Sequence, residues 1–487
     1  MSEAIAEMVL PGTYIEVRSE GLIAVGSIAT GNVGVVGTAA RGPLGEVVAL
    51  GGVAEAIDVY GPADLVSAPA HAGGPPLSLV RAIQQVFAGG GSNVYAVRLA
   101  GGNPVAAAIT VPASTGNAFV LTAEPPDPDQ PSAPAVGGSW GNDIRVVVVD
   151  NGSGVTPRFR MTITYRNVRE VFEGGNVGQL RAAVGAAGAS RLVRVSDATT
   201  DPAGATANLQ ALDQQMAGGT SVPNINATHV DGGLTLLEEQ PVNIVVAAGL
   251  GADVAAAPLL AHVERTENDG KERIAVLGAS TNDADDVLDD AGGVADDRII
   301  LVAPGHLVAE AREGQEPIMV PLPPSATAAI VAGRLASLAP HISLTNQTLP
   351  IAELAENYST TVHRNLLQNR VLAVRRRFGH QIVRGITTDP GAFSQISVRR
   401  TVDYAKAGVR LGSNPYIGKL NNARVRAALK ATLDGFLSQM VLDEMLTAYE
   451  LAVTATRAQE IRGICIVTMT LHPTFSIDFI RVTMNLQ

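Results

Sequence analysis

Asn243-Ile244-Val245-Val246-Ala247, Arg273-Ile274-Ala275-Val276-Leu277 and Arg298-Ile299-Ile300-Leu301-Val302 are three short runs that stay apolar after their first residue. A strand buried on one face alternates apolar with polar, whereas a strand covered on both faces reads as a continuous apolar run. Ala252–Glu264 and Asp283–Asp289 fit the helices between these runs. Strand, helix, strand in that order predicts a parallel sheet with helices on both sides.

Upstream, the first hundred residues carry the same alternation. Val33–Thr38 reads as a small-residue strand. Leu77–Phe87 reads as a helix with Leu79, Val80, Ile83, Val86 and Phe87 on one face, stopped by Gly89-Gly90-Gly91 and followed by the strand Val94–Leu99. Thr13–Arg18 is an extended run just after Pro11-Gly12. From Gly101 the composition shifts. Glu124–Pro134 is a Pro- and Asp-rich loop, flanked by the short β runs Phe119–Thr122, Ile144–Asp150 and Phe159–Tyr165, with one helix at Val177–Val184. This predicts an inserted β-rich, sandwich-like domain.

Downstream, Ser359–Gln368 suits a helix, and Val371–Val374 with Gln381–Ile386 suit two strands. Asn414-Pro415 predicts the cap and first turn of a long helix running to Met440, with Leu429, Leu433, Phe436, Leu437 and Met440 as its buried stripe. The strands Gly463–Leu471 and Phe475–Met484 follow. Extended ends at both termini are unusual, because termini fray unless something pairs with them. Pairing with another copy would explain them.

At 487 residues, two to four domains are expected. With 46 % hydrophobic and 17 % charged residues the chain can bury a sizeable core, and 51 glycines against 4 % aromatics imply close approach of small residues. The single cysteine, Cys465, excludes an internal disulfide and points to folding in a reducing cytoplasm. Met1–Leu10 lacks the basic region and apolar core of a signal peptide, and no apolar run reaches the ~18 residues that span a bilayer. Net charge is −11, but it is uneven. Val362–Lys430 holds 14 Lys and Arg against Asp389 and Asp403, which leaves 21 of the 35 bases and 44 of the 46 acids to the rest. A strongly basic surface on an acidic protein is a partner signal.

The catalytic motifs are incomplete. Gly137-Gly138-Ser139-Trp140-Gly141 has the spacing of a nucleophile elbow, but a loop precedes it and a strand follows, where an elbow needs strand then helix. Gly219-Thr220-Ser221 resembles a subtilisin serine motif, yet only His71 lies upstream as a partner. Gly249-Leu250-Gly251 lacks the third glycine of a dinucleotide fingerprint, with Val254 in its place. No phosphate loop is present, and the eight histidines show no metal-ligand spacing, so no catalytic, cofactor or metal site is expected. A hydrolase using Ser139 or Ser221 and a nucleic-acid module using the basic region remain as competing readings. The second lacks aromatics interleaved for base stacking.

Several patterns, in order along the chain, resemble the phage-type contractile tail sheath family. They are Pro11-Gly12-Thr13-Tyr14-Ile15-Glu16, then V-V-G-T-A-A-R-G-P at Val35–Pro43, and Q-V-F-A-G-G-G-S-N-V-Y-A-V-R at Gln85–Arg98. Ser139-Trp140-Gly141-Asn142, Pro323-Pro324-Ser325 with Ala332-Gly333, Ile382–Thr388 and Val398–Tyr404 continue the series. The resemblance implies a structural subunit, not an enzyme, with no cofactor. Its implied parts are an N-terminal arm and part of the core over 1–100 and an inserted β-rich domain over 101–200. A subtilisin-like α/β domain without a triad follows over 201–345, then a C-terminal α+β domain over 346–487. It also implies six-fold rings of this chain stacked helically around an inner tube, with baseplate and tail-terminator or cap proteins as further partners. No direct nucleic acid contact or stable membrane insertion is implied. Assembly in a bacterial cytoplasm, as the sheath of a phage tail or of an injection particle, completes the expectation. By this reading Arg424, Arg426 and Lys430 face the tube. Thr13, Tyr14, Ile15 and Val17 form one intersubunit arm, and Ile477, Phe479, Ile480 and Val482 form the other.

Overall fold

The protein is described by a computed structural model for residues 28–67, 69, 74–123, 137–152, 158–312 and 315–486. Thr13, Tyr14, Ile15, Val17 and His71 lie outside these residues, as does the Pro-rich loop at 124–134.

The chain opens with β1 (Asn32–Thr38), β2 (Val47–Leu50), α1 (Val53–Tyr60), α2 (Leu79–Gly89) and β3 (Asn93–Leu99). The α2 helix ends where Gly90 takes the left-handed φ of 108°. Next come β4 (Ala108–Pro112), β5 (Asn117–Ala123), β6 (Arg145–Asp150), β7 (Phe159–Tyr165), β8 (Val168–Gly174), α3 (Val177–Gly185), β9 (Val193–Asp197) and β10 (Leu212–Gln215). They form two antiparallel sheets, β4-β5-β9 and β10-β6-β7-β8. Phe119 and Leu121 from one sheet share a buried core with Val146, Met161 and Ile163 from the other. The expected β-rich insertion is therefore two facing sheets, held by the inward half of each alternating strand.

The chain then returns through α4 (Ala227–Leu237), β11 (Ile244–Ala247), α5 (Ala252–Asn268), β12 (Ile274–Gly278), α6 (Ala284–Gly293) and β13 (Ile299–Ala303). A hairpin of β14 (His306–Arg312) and β15 (Gln315–Pro321) precedes α7 (Pro324–Ala336), β16 (Thr348–Leu349), β17 (Glu353–Leu354), α8 (Thr360–Gln368), β18 (Val371–Arg376) and β19 (His380–Ile382). One nine-stranded sheet runs β16-β19-β18-β13-β12-β11-β1-β3-β2. Its pairings from β3 through β1, β11, β12 and β13 to β18 are parallel, and both edges are antiparallel. Ile83 and Val86 of α2 and Ile330 and Val331 of α7 cover one face. Leu234 of α4, Leu259 of α5, Val287 of α6 and Leu366 of α8 cover the other. The two-sided burial expected from the apolar runs is what the sheet shows.

The last part holds α9 (Ile396–Ser413), α10 (Ala423–Leu442), β20 (Leu446–Thr454), α11 (Arg457–Ile461) and β21 (Ile466–Pro473). Here the sequence reading needs correction. Asn414-Pro415 does not open a helix. It forms a 3-10 turn, Asn414–Tyr416, at the end of α9. Gly418 then adopts a φ of +82°, and Asn422 is the true cap, its side chain accepting from Val425 N at 2.9 Å. The stripe is otherwise sound: Leu429, Leu433, Leu437 and Met440 are buried, and half-buried Phe436 packs on Tyr404 and Gly408. Phe475–Met484 is not a strand within this chain, because it has no partner strand among the described residues. No described helix is long and apolar enough to cross a membrane.

Candidate functional site

The two suspected nucleophiles meet each other. Ser139 Oγ lies 2.9 Å from Ser221 Oγ, and Ser139 N donates to Ser221 Oγ at 2.8 Å. Both side chains are buried. The surrounding Trp-Gly-Asn turn docks by side chain and backbone: Asn142 Nδ2 donates to Gly219 O at 2.9 Å, and Gly219 N donates to Asn142 Oδ1 at 2.8 Å. Trp140 packs edge-on against Tyr165, ring centroids 5.1 Å apart. Arg98, buried, donates to Gly42 O and Gly137 O at 2.6 and 2.7 Å. This is a seam that fixes the insertion to the main sheet, with hydroxyls sealed from solvent and hydrogen-bonded to each other. Among the described residues no cluster of three or more His, Cys, Asp or Glu could hold a metal ion.

Many bases of the basic region are paired with acids, and two of them, Arg399 and Arg400, are buried. Arg399 pairs with Asp297 and Asp403 at 2.8 and 2.7 Å, Lys406 with Glu267 at 2.9 Å, and Arg384 with Asp478 at 2.7 Å. Arg410 pairs with Glu272, and Arg376 with Glu353. Arg400 is buried, and its guanidinium donates to the carbonyls of Thr30, Leu338 and Ala339. Acids distant in sequence thus pair with several of these bases, while Arg364, Arg376, Arg377, Arg410, Lys419, Arg424 and Lys430 are exposed, so half of the expected basic residues do lie on the surface.

On α10 the three expected tube-facing residues part company. Arg424 and Lys430 are exposed. Arg426 is drawn back, donating to Glu460 at 2.9 Å and to Asn421 at 2.8 Å. The α10 helix packs through its apolar stripe on the two-stranded sheet β20-β21. The strand side chains Leu451, Val453, Val467 and Met469 point to that core, and alternate residues such as Glu450, Thr468 and Thr470 are exposed. Neither outer edge of this hairpin pairs with another strand of the described chain. A lone two-stranded sheet is marginal in water and leaves edge N–H and C=O groups open to a further strand.

After β21 the chain continues extended. Thr474 N donates to Met445 O at 3.1 Å. Phe475, Ile477, Phe479, Ile480, Val482, Met484 and Leu486 are between 62 % and 99 % exposed. All four residues expected in the C-terminal arm are therefore bare in the single subunit. The sequence reading missed Asp478, whose buried carboxylate ties this segment to Arg384.

The comparisons with known proteins agree with this architecture. Residues 388–487 match the family model described as the phage tail sheath C-terminal domain. The sheath tail protein of Desulfitobacterium hafniense is similar at a TM-score of 0.66 and 18 % identity, covering 95 % of this chain and 100 % of its own. That of Listeria innocua follows at 0.61 and 15 %, covering 94 % and 95 %. The helical sheath of the anti-feeding prophage in its contracted state is similar at 0.57 and 14 %, covering 98 % and 99 %. No curated protein matches. The fold is that of tail sheath proteins of phages and contractile injection systems.

Proposed function

We propose that this chain is a structural subunit that polymerises into a contractile helical sheath around an inner tube, and that its work is mechanical. The observation that carries the proposal is the pairing of two incomplete elements in one subunit: an apolar, extended C-terminal segment without a sheet, and a two-stranded sheet with open edges. Donating the first to the second of a neighbour supplies main-chain hydrogen bonds to both and buries the apolar side chains. Donor and acceptor are different surfaces, so the contact is heterologous and propagates into rings or helices. Thr13, Tyr14, Ile15 and Val17 are assigned a second linking arm on the resemblance alone.

The doubly covered sheet is read as a subtilisin-like core that carries no triad, and the subunits as six-fold rings assembled on a baseplate and closed by a cap protein. Arg424 and Lys430 are assigned to an acidic inner tube, with Arg426 holding the helix to α11 behind them. Exposed ion pairs contribute only ~0–1 kcal/mol each, so the contact gains strength by repetition and stays breakable during contraction. Replacing Arg424 and Lys430 together by Glu tests this assignment. Tube co-assembly should fail while the subunit remains folded, and normal tube-filled particles would refute it.

A further inference from the structure

The C-terminal segment changes character at one residue. Ile477, Phe479 and Ile480 are each about 80 % exposed. Asp478, between them, turns inward with its side chain 6 % exposed. Its carboxylate is fully engaged. Arg384 Nε donates to Oδ2 at 2.7 Å, Thr345 Oγ1 and Ser476 Oγ donate to Oδ1 at 3.1 and 3.2 Å, and Gln395 Nε2 lies 3.4 Å from Oδ2. Gln395 also accepts from Ser476 N at 3.3 Å, and the Arg384 guanidinium stands 5.4 Å over the Phe479 ring. Apart from Ser476, the donors come from three places in the chain: before β16, after β19 and at the start of α9. They converge on a cleft of about 810 Å³ lined also by Arg364, Arg370 and Arg375, where Asp478 is the one acid among the described lining residues.

We propose that this cleft is an anchoring site for the root of the C-terminal arm. Residues 474–478 stay on their own body in the assembly, and residues 479–486 are the part handed to a neighbour. The inference rests on the reading of this segment as an intersubunit arm. A contact that masked the arm would bury its apolar side chains. Here only polar groups are held, the Asp478 carboxylate and the Ser476 amide, and the apolar side chains on either side are left facing out, so the contact presents the arm. Fixing the root before assembly removes that part of the ordering cost from association. Residues 479–486, eight in number, reach about 26 Å when extended, enough to cross a strand of ordinary length on an adjacent subunit.

Limited chymotrypsin digestion of the full chain tests the anchor, because Phe475 lies inside the proposed root. Asp478→Asn, and independently Arg384→Gln from the other side of the contact, should speed cleavage after Phe475 by about tenfold, the effect of losing a charge-assisted hydrogen bond that closes a local opening. Both variants should keep the wild-type melting temperature and form fewer tubes. A chain truncated after Asp478 should retain wild-type protection at Phe475 yet form no tubes. If both substitutions leave the Phe475 rate and the tube yield unchanged, the anchor is overturned while the arm reading stands. If the truncated chain still forms tubes, the arm reading falls, and the Phe475 rates of the two substitutions still decide the anchor.

Discussion

Arg298 and Asp403 meet across the junction of the central sheet and the C-terminal helices in a bidentate pair, at 2.8 and 3.1 Å. Arg298 sits at the start of β13 with its side chain 2 % exposed, and Asp403 lies on α9. Glu267 of α5 takes the other side of the same guanidinium, at 2.6 and 2.9 Å, and Arg399 of α9 shares Asp403 at 2.7 Å. A buried network is weak evidence of net stabilisation, but removing one member leaves its partners charged and desolvated. Asp403→Ala should therefore lower the unfolding free energy by about 3–5 kcal/mol in urea titration. An unchanged midpoint would show that the junction does not depend on this pair.

The serine pair gives a second test. Ser139→Ala or Ser221→Ala leaves a buried hydroxyl short of a partner, and each should cost about 1–3 kcal/mol. The double variant should cost less than the sum, since each single variant already removes the Oγ–Oγ hydrogen bond. Neither serine should react with a broad serine-hydrolase probe. Labelling of either one that is lost on heating would contradict the structural role.

Helices α2 and α7 touch backbone to backbone. A Cβ added at Gly333 would lie 2.0 Å from Val86 O, and one at Gly89 would lie 2.3 Å from Ile330 O. Ala is the better helix former by up to ~1 kcal/mol. Overpacking against a rigid backbone outweighs that gain, so Gly333→Ala should destabilise by about 1–3 kcal/mol and lower the melting temperature. A stabilised variant would mean that the helices separate easily.

These tests also mark what was legible in the sequence. Ile244–Ala247, Ile274–Gly278 and Ile299–Ala303 announce themselves because burial on both faces leaves no polar position. Helix α9 hides its period: Ile396 to Thr401 are all buried, Arg399 and Arg400 among them. Their charges are met by Asp297, Asp403 and backbone carbonyls that no local pattern reveals. For the same reason the buried Arg399 and Arg400 could not be told from the exposed bases of the same stretch. Asn414-Pro415 has the composition of a helix start but serves as a helix end, and the capping geometry alone separates the two. In the arm, the apolar residues at 477, 479, 480 and 482 were readable, while the role of Asp478 between them depends on Arg384, Thr345 and Gln395, which are distant in sequence.

Acid should weaken the fold before carboxylates titrate. His262 is fully buried and accepts from Arg273 at 2.9 Å through Nε2, and burial with that positive charge lowers its pKa to about 3. Burial, with Arg81 nearby, lowers His306 to about 4. The unfolded chain takes up these protons below about pH 6.5 while the folded chain refuses them. Stability is thus full above pH 6.5 and falls by up to ~1.4 kcal/mol per pH unit for each histidine, down to about pH 4 for His306 and pH 3 for His262. Glu267, held at about 2 chiefly by Arg298, adds a further loss as pH drops from 4.5 towards 2. Urea midpoints measured from pH 7 to 4 should fall for the wild type and flatten in a His262→Gln, His306→Gln double variant. Parallel curves would contradict the assignment.

The central claim is polymerisation through the C-terminal arm, and negative-stain electron microscopy of the purified full-length chain beside a chain lacking Phe475–Gln487 tests it most directly. The account predicts long striated tubes from the full chain and folded single subunits from the truncated one. Tubes of normal length from the truncated chain, or single subunits from the full chain at every concentration, would contradict it.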